Sequence, residues 1–311
     1  MPFKYPQLSV EQEDDVLKDI GYSRQQLESD KLVMRAWMDE QPHFPESCKK
    51  ESDAFLVNYL VGCKGSLETV KTKLDCYYSM RGHGDLFTNR DTLDYLKSAA
   101  TFQYVAVMPK PSPEGYIVTM VGLWTDDVDK YIMNDAIKRI ILVHEWGLRQ
   151  GSGIIRGVVF LLDGKGFSAT HTMQLTLSTI KSIVAWLTQA CPMRPHRFIV
   201  INVEPLLESI ANTVIMPLLP EKIKRRAIFT RDEDFKKYLD NIEFLPTCYG
   251  GKESDKVTLA NDCIEALIAG MKDILPTLGE STDESKRPKI DGYTNNPHFG
   301  AFGSIKNLVT D

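Results

Sequence analysis

The side chains in this sequence that could carry out chemistry are few and stand apart. Asp163 closes an apolar run, GVVFLLDG at 157–164, and His171 follows it. An aspartate and a histidine could act as the acid and base of an enzyme. An aspartate in such a turn more often accepts hydrogen bonds from local backbone amides, and His171 is more typical of the start of a helix. These two residues are compatible with an enzyme but do not predict one.

The motifs of common catalytic and metal sites do not occur. HEWGL at 144–148 lacks the second histidine of HExxH. GSGIIRG at 151–157 precedes a predicted strand, whereas a dinucleotide-binding loop follows one, and DGKGFS at 163–168 lacks the third glycine. The six cysteines form no CxxC, and the six histidines have no paired spacing. We therefore expect no cofactor, no metal and no catalytic residue.

A basic cluster stands directly behind an apolar segment in PLLPEKIKRRAIF, residues 217–229. The chain has a net charge of −5, which argues against a nucleic-acid binder with a broad basic surface. The cluster could be a solvated helix face, a nuclear import signal or a docking point for an anionic surface. Ile223 interrupts it and apolar residues follow, which disfavours an import signal. The other two interpretations stay open.

The elements that must position these residues change in character near residue 100. Helical spacing covers 10–20 and 23–40, and Ser66 is suited to N-cap a later helix. The segments FQYVAVMP (102–109) and YIVTMVGLW (116–124) are β-branched and aromatic, with a PSPEG turn between them. The sequence therefore predicts an all-helical module of about 85 residues followed by strands.

The second half alternates between predicted helices and strands. A helix over 127–149 is followed by a buried strand at 157–164, a helix at 170–190 and a strand at 197–203. This order predicts a right-handed βαβ crossover unit. The next segment, 204–220, is apolar on nearly all sides of a helix. Such a helix must be covered or must face something other than water.

The termini and the cysteines suggest a cellular compartment. The first residues lack the pattern of a secretory signal, and no apolar stretch is long enough for a transmembrane helix. With scattered cysteines, the expected state is a cytoplasmic protein with reduced thiols. Residues 279–297 are a polar linker, and the apolar residues of HFGAFGSIKNLVTD (298–311) predict that the end docks back.

Several ordered motifs of this chain resemble the CRAL-TRIO lipid-binding family, over roughly residues 10–275. They include a helical start with a YYxxR end, a strand followed by Asp and a Gly-aromatic turn, and an INxP strand end that reads INVEP here. The motifs are FLVNYLVGCKGSLETVKTKLDCYYSMR at 55–81, GVVFLLDGKGFSATH at 157–171, INVEP at 201–205, PLLPEKIKRR at 217–226 and LPTCYGGKES at 245–254.

The resemblance implies an α/β fold with a specific organisation. A helical N-terminal module would span 1–88, and a mixed sheet flanked by helices would form the lipid-binding domain at 89–275. A polar linker and C-terminal segment would follow at 276–311. In the family the sheet is the floor of an apolar pocket, and a lid helix closes it. That lid falls on Glu204 to Leu219.

By position in the family, the apolar pocket would be lined from the strand, two helices and the lid. For each aliphatic residue, plain core packing stays an equal alternative. His144 is the candidate polar anchor for a ligand hydroxyl or carbonyl, unless it is an ordinary helix histidine. The predicted ligand-binding residues are Ile137, Ile141, His144, Val158, Phe160, Leu162, Leu175, Thr179, Ile183, Trp186, Leu187, Ile210, Val214 and Leu218.

The family resemblance also implies a basic groove for an anionic phosphoinositide headgroup. Lys222 and Arg226 match its positions behind the lid, and Arg194 and Arg197 match its strand side. The family often carries arginines where this chain has Val61 and Cys63, so the groove should be weaker or prefer a different anion.

Taken together, the resemblance implies a cytoplasmic carrier that associates peripherally with membranes. Its cargo would be tocopherol, a retinoid or a similar lipid, transferred at an anionic membrane surface, with no nucleic acid as partner. One alternative is a lipid-acting α/β enzyme that uses Asp163 and His171. Another is an interaction scaffold whose pocket is collapsed.

Overall fold

Four helices build the N-terminal part of the chain, as predicted. The computed structural model describes residues 3–230, 232–239 and 241–288. Each helix starts at a serine whose hydroxyl accepts a hydrogen bond from the amide three residues on, which satisfies one of the free N–H groups of the first turn. The helices are α1 (Val10–Asp19), α2 (Arg24–Asp39), α3 (Asp53–Gly62) and α4 (Leu67–Met80).

A five-stranded mixed sheet follows and confirms the predicted α/β class. The strands lie side by side in chain order; β1 and β2 are antiparallel, and all later neighbours are parallel. The strands are β1 (Gln103–Val107), β2 (Tyr116–Leu123), β3 (Gly157–Asp163), β4 (Pro195–Ile201) and β5 (Ala227–Phe229).

Helices cover both faces of this sheet. Val158 and Phe160 of β3 belong to a core shared with α6 (Met133–Gly147) and the N-terminal helices. Val159 and Leu161 belong to a core shared with α11 (Lys256–Gly270). This alternation is what a strand buried on both faces requires. The flanking helices are α5 (Asp94–Phe102), α6 (Met133–Gly147) and α11 (Lys256–Gly270).

The helix predicted over 170–190 is divided, and the helix predicted from 127 starts six residues later. The crossover contains α7 (Ala169–Met173) and α8 (Leu177–Ala185), which continues as a π-type turn to Ala190. Between them the Gln174 amide accepts from the Met133 N–H and donates to the Tyr131 carbonyl. These hydrogen bonds tie the break to the loop before α6, and Thr176 then caps α8.

The segment predicted as a lid is helical, but it is not one regular α-helix. It consists of α9 (Pro205–Ile210), a π-type turn (Ala211–Ile215) and a 3₁₀ turn (Met216–Leu218). The short α10 (Glu221–Lys224) leads into β5. After β5 the chain forms 3₁₀ geometry over Asp232–Tyr238. None of the described helices has the length and apolar character needed to cross a bilayer.

The chain after α11 returns to the N-terminal helices. The guanidinium of Arg287 pairs with Asp75 of α4 at 2.7 Å, and the Asp283 amide donates to the His43 carbonyl. Residues 280–287 therefore contact the N-terminal module. The predicted docking of residues 298–311 lies outside the described residues.

Candidate functional site

An apolar floor lies on the face of the sheet that carries Phe160. Val158, Phe160 and Leu162 alternate onto that face of β3, and Phe198 and Val200 of β4 pair beside them. The rings of Phe160 and Phe198 are stacked with centroids 4.8 Å apart. Val158 and Phe160 are buried, whereas Leu162, Phe198 and Val200 are half-buried. The floor is therefore covered toward its centre and partly exposed toward β4.

The predicted wall residues of α6 and α8 pack against this floor. Ile141 and Trp186 are buried in the same core as Val158 and Phe160, and Ile137, Ile183 and Leu187 pack half-buried against it. Two predicted residues stand apart from this group. Leu175 lies in the break before α8 and packs with Phe102 and Tyr131, and Thr179 bonds the cap residue Thr176 at 2.9 Å.

His144 is a buried polar group within this apolar surrounding. Its Nδ1 lies 2.7 Å from the Ile140 carbonyl, so this nitrogen carries the proton and donates it. The ring lies 4.9 Å from Phe160 and 6.1 Å from Trp186. Burial lowers the pKa of His144 to about 4, so the ring is neutral at physiological pH. Its Nε2 has no hydrogen-bond partner among the described residues.

The segment predicted as a lid, called the lid segment below, forms helical turns over residues 205–218 and presents apolar side chains to water. Leu206 is 61% exposed and Val214 is 54% exposed, and Leu218 is also exposed. Ile210 is half-buried, and within this segment Leu207 is the buried side chain. The segment thus carries an exposed apolar surface, and it connects the end of β4 to α10 and β5.

A cationic cavity of about 200 Å³ lies at the opposite end of the strands from the start of the lid. Arg156, Arg194 and Arg226 each immediately precede one of three adjacent parallel strands, β3, β4 and β5. The parallel arrangement therefore brings three arginines from distant parts of the chain to one edge. Lys64, which follows α3, completes the set, and Asp19 is the carboxylate that lines the cavity.

The four cations of the cavity differ in their partners. Arg156 forms an ion pair with Asp19, and Arg226 donates to the Pro195 carbonyl at 2.5 Å. Neither Lys64 nor Arg194 forms an ion pair with another residue in the described part of the chain. Burial lowers the pKa of Arg194, and the nearby Arg156 and Arg226 add to that lowering. The cavity therefore holds an excess of positive charge.

The structure brings two of the four predicted headgroup residues, Arg194 and Arg226, into the cavity and places the other two outside its lining. Lys222 is exposed on α10, near enough to Lys73 that its charge adds to the lowering of the Lys73 pKa by burial. The Arg197 guanidinium donates to the Tyr238 carbonyl, and Arg197 lines a smaller cavity with Leu239.

Two cations of the cavity, Lys64 and Arg156, were not predicted. Val61 and Cys63, which stand where the family often has arginines, are both buried. Lys64 directly follows and supplies a cation at that place, and Arg156 supplies another. The available signal for Arg156 was its place directly before the strand predicted from 157.

Asp163 and His171 belong to two separate hydrogen-bond groups. The Asp163 carboxylate accepts from the hydroxyls of Tyr104 and Tyr249, from the Asn202 amide and from the backbone of Lys165. Burial alone would raise its pKa, but these hydrogen bonds lower the pKa of Asp163 on balance. His171 Nδ1 instead accepts from the Ser168 amide at 3.0 Å. The arrangement does not pair the two groups as an acid and base.

Comparisons with known proteins agree with this architecture. Residues 23–95 match the family model described as Pinta-like, UBA domain, and residues 101–251 match the CRAL/TRIO domain. The chain is 26% identical over 210 residues to the alpha-tocopherol transfer protein-like proteins of Homo sapiens and Pongo abelii, which covers 67% of this chain. A relative of the same name from Mus musculus is 24% identical over 235 residues, 75% of this chain.

The match spans 61% of the length of the human and Pongo abelii relatives and 67% of the mouse one. The crystal structure of Sfh5 covers 86% of this chain and 99% of its own, with a TM-score of 0.47 and 12% identity. The ordered motifs, the mixed sheet after a helical module and the matching domain model agree with one another. Residues 101–251 of this chain form a CRAL/TRIO domain.

Proposed function

We propose that this protein is a carrier that holds a hydrophobic small molecule in its CRAL/TRIO domain and exchanges it at anionic membranes. The observation that carries the proposal is the pair of apolar surfaces that the chain leaves partly uncovered. The floor residues Leu162, Phe198 and Val200 are half-buried, and the lid side chains Leu206 and Val214 are exposed. A hydrocarbon cargo would cover the first surface, and a bilayer would cover the second.

The physics of apolar burial links holding the cargo to releasing it. Each Å² of apolar surface removed from water contributes about 25 cal/mol, so a long hydrocarbon ligand is held strongly against release into solvent. Release therefore requires an apolar environment outside the protein. A bilayer provides one, and the exposed apolar side chains of the lid segment are suited to meet it.

The cationic cavity supports an anionic membrane as the place of exchange. Cytoplasmic leaflets carry anionic lipids, and each basic side chain near their surface contributes about 1 kcal/mol to binding. Arg194 lies between α8 and β4, whereas Lys222 and Arg226 lie between the lid segment and β5. Arg194 and Arg226 line the cavity, and Lys222 belongs to α10. Phosphoinositide headgroups, with several negative charges, suit such a cluster.

The carrier function can be tested by cargo binding and by transfer between vesicles. Delipidated protein should bind fluorescent tocopherol, retinoid or phospholipid analogues and should accelerate their movement between vesicles. Native mass spectrometry of the purified protein should detect a lipophilic ligand. Delipidated protein that binds none of these analogues and accelerates none of them would contradict the proposal.

A double variant tests the proposed transfer of cargo at the membrane. Lys222→Ala combined with Arg226→Ala should spare cargo binding and slow transfer to anionic vesicles. Lys224→Ala is the matched control, because Lys224 is already paired with Glu221 at 2.7 Å. Transfer that is unchanged in the double variant would return the cluster to a solvated helix face.

A substitution within the predicted pocket separates a carrier from a scaffold. Ile183 is half-buried beside the floor, and a tryptophan there would fill space that a ligand needs. Ile183→Trp should therefore block cargo uptake while the protein stays folded. Full uptake in a folded Ile183→Trp variant would show that the cargo lies elsewhere.

A further inference from the structure

Asp19 lines the cationic cavity although its own helix disfavours a negative charge at that place. It is the last residue of α1, where a carboxylate lies beside the free carbonyl groups of the helix end. An ion pair with Arg156 compensates. The Asp19 charge also reaches a second arginine, because burial lowers the pKa of Arg194 and the Asp19 carboxylate acts against that lowering. Asp19 therefore occupies the position that an external anion would take.

Backbone hydrogen bonds hold the three arginines of the cavity beside one another. The Arg194 carbonyl accepts from an amide of β3 at 3.0 Å, and the Arg226 carbonyl accepts from an amide of β4 at 2.8 Å. The backbones of Arg156, Arg194 and Arg226 thus cannot move apart to relieve the repulsion between like charges. An anion among these side chains is favourable, and Asp19 is the anion that the chain itself supplies.

The ion pair with Asp19 leaves part of the Arg156 guanidinium unused. Nη1 of Arg156 donates to the carboxylate, whereas its Nε is buried and has no hydrogen-bond partner among the described residues. Buried donors are seldom left without an acceptor. A phosphate carries more acceptor oxygens than a carboxylate and can accept from two guanidinium nitrogens at once. Arg156 therefore has a donor capacity that Asp19 does not fill.

The Asp19 side chain can leave the cavity while α1 stays in place. It is 56% exposed, so it can turn toward water. The helix is held by other residues: Val16 and Leu17 are buried in the main core, and the Gln12 side-chain amide donates to the Pro113 carbonyl at 2.9 Å. Opening the ion pair therefore requires the rotation of a side chain and no movement of the helix.

We infer that Asp19 is an internal counter-ion that a phosphate-bearing headgroup displaces, so that Arg156 exchanges one anionic partner for another. This inference rests on the proposed exchange of cargo at anionic membranes and describes how the anion site is controlled. While the carboxylate is in place, it neutralises one cation and repels the arriving phosphate. Without that charge, the cavity should bind phosphate groups more strongly.

Asp19→Asn, which keeps the shape and removes the charge, tests this arrangement on the full chain. Its affinity for phosphatidylcholine vesicles with a small fraction of phosphatidylinositol bisphosphate should rise by about twofold to fivefold. Asp14→Asn is the matched control and should show no gain, because Asp14 lies on the same helix and pairs with Arg24 outside the cavity. Asp19→Glu keeps the charge, and a similar gain in that variant would overturn the counter-ion.

A second background tests the exchange of partners at Arg156. In Arg156→Gln no ion pair has to open, so removing the Asp19 charge should give a smaller gain than it gives when Arg156 is present. Urea denaturation of each variant establishes that it is folded. An equal gain in both backgrounds would indicate simple repulsion across the cavity and would overturn the exchange.

The outcomes separate the counter-ion from the proposed membrane function. Unchanged or weaker vesicle binding in Asp19→Asn, with wild-type protein still preferring bisphosphate vesicles, would overturn the counter-ion alone. A gain for soluble inositol trisphosphate without any vesicle preference would keep the counter-ion and contradict the anionic membrane as the ligand source. Inorganic phosphate provides the third arm, and a gain for it alone would reduce the cavity to a general anion site and overturn displacement by a headgroup.

Discussion

The two ends of the parallel strands carry charge in opposite ways. At the carboxyl ends, one carboxylate, Asp163, accepts hydrogen bonds from Tyr104, Tyr249 and Asn202, which lie on β1, in the loop before α11 and at the end of β4. At the amino ends, four cations share a cavity with one carboxylate. We call the carboxyl ends the saturated end, because protein donors occupy the acceptor sites of the Asp163 carboxylate. We call the amino ends the unsaturated end, because positive charge exceeds negative charge there.

The difference shows how a charged residue that builds the fold can be separated from one that is available to a ligand. A buried carboxylate with four donors has no capacity left for a substrate. Lys64 and Arg194 have no ion-pair partner among the described residues, so their charge remains available. The sequence alone presents Asp163 as a candidate for chemistry and Lys64 as an unremarkable loop lysine. The hydrogen-bond partners reverse that ranking.

The largest expected effect is at the saturated end. Asp163→Ala would remove the acceptor of the hydroxyls of buried Tyr104 and half-buried Tyr249 and of the Asn202 amide. The free energy of unfolding should fall by about 3 kcal/mol, measured by urea denaturation. A loss below about 1 kcal/mol would show that water replaces the carboxylate and that the end is not saturated. Ser168→Ala, at the separate His171 group, is the control, with a smaller loss expected.

The next effect is at the unsaturated end, in binding rather than in stability. Lys64→Gln with Arg194→Gln removes the two cations without an ion-pair partner in the described chain. Binding to bisphosphate-containing vesicles should weaken by about 30-fold, since each cation contributes about 1 kcal/mol. The free energy of unfolding should change by less than about 0.5 kcal/mol. A large loss of stability would contradict the view that these charges are not needed for the fold.

Much of the fold could be predicted because it depends on local spacing. The serine caps, the apolar stripes of α1 to α4 and the buried run at β3 are read within a few neighbouring residues. The break at Gln174 could not be predicted, because its hydrogen bonds reach back to Tyr131 and Met133, about forty residues earlier. The lid segment was predicted as helical, but its change to π-type and 3₁₀ geometry follows no composition signal.

The site was predicted less completely than the fold, for the same reason. Arg194 and Arg226 were found through their positions in the family resemblance, and Arg226 lies within the motif at 217–226. Arg156 and Lys64 join them only because β3 is parallel to β4 and because α3 ends beside that edge, which are facts of topology. The predicted pocket residues of β3 share one face as strand alternation requires, and their role in binding a ligand stays a prediction.

A smaller effect tests whether the saturated end acts as one group. Tyr249→Phe removes one of two phenolic donors to Asp163 and leaves the Tyr104 hydroxyl at 3.0 Å. The free energy of unfolding should fall by about 1.5 kcal/mol, the lower end of the range for one hydrogen bond to a charged group. Chemical denaturation of Tyr249→Phe, Tyr104→Phe and the double variant would measure their coupling. Strictly additive losses would show two independent hydrogen bonds instead of one group.

The smallest expected effect concerns Arg197, which lies next to the unsaturated end but outside the lining of its cavity. Arg197 follows Arg194 by three residues, but its guanidinium donates to the Tyr238 carbonyl and contributes to a different cavity. Because its charge is directed away from the cationic cavity, Arg197→Gln should change binding to bisphosphate vesicles by less than about twofold. Vesicle co-sedimentation beside Arg194→Gln provides the measurement. Equal losses in the two variants would extend the anion site around β4 and remove the distinction between paired and available cations.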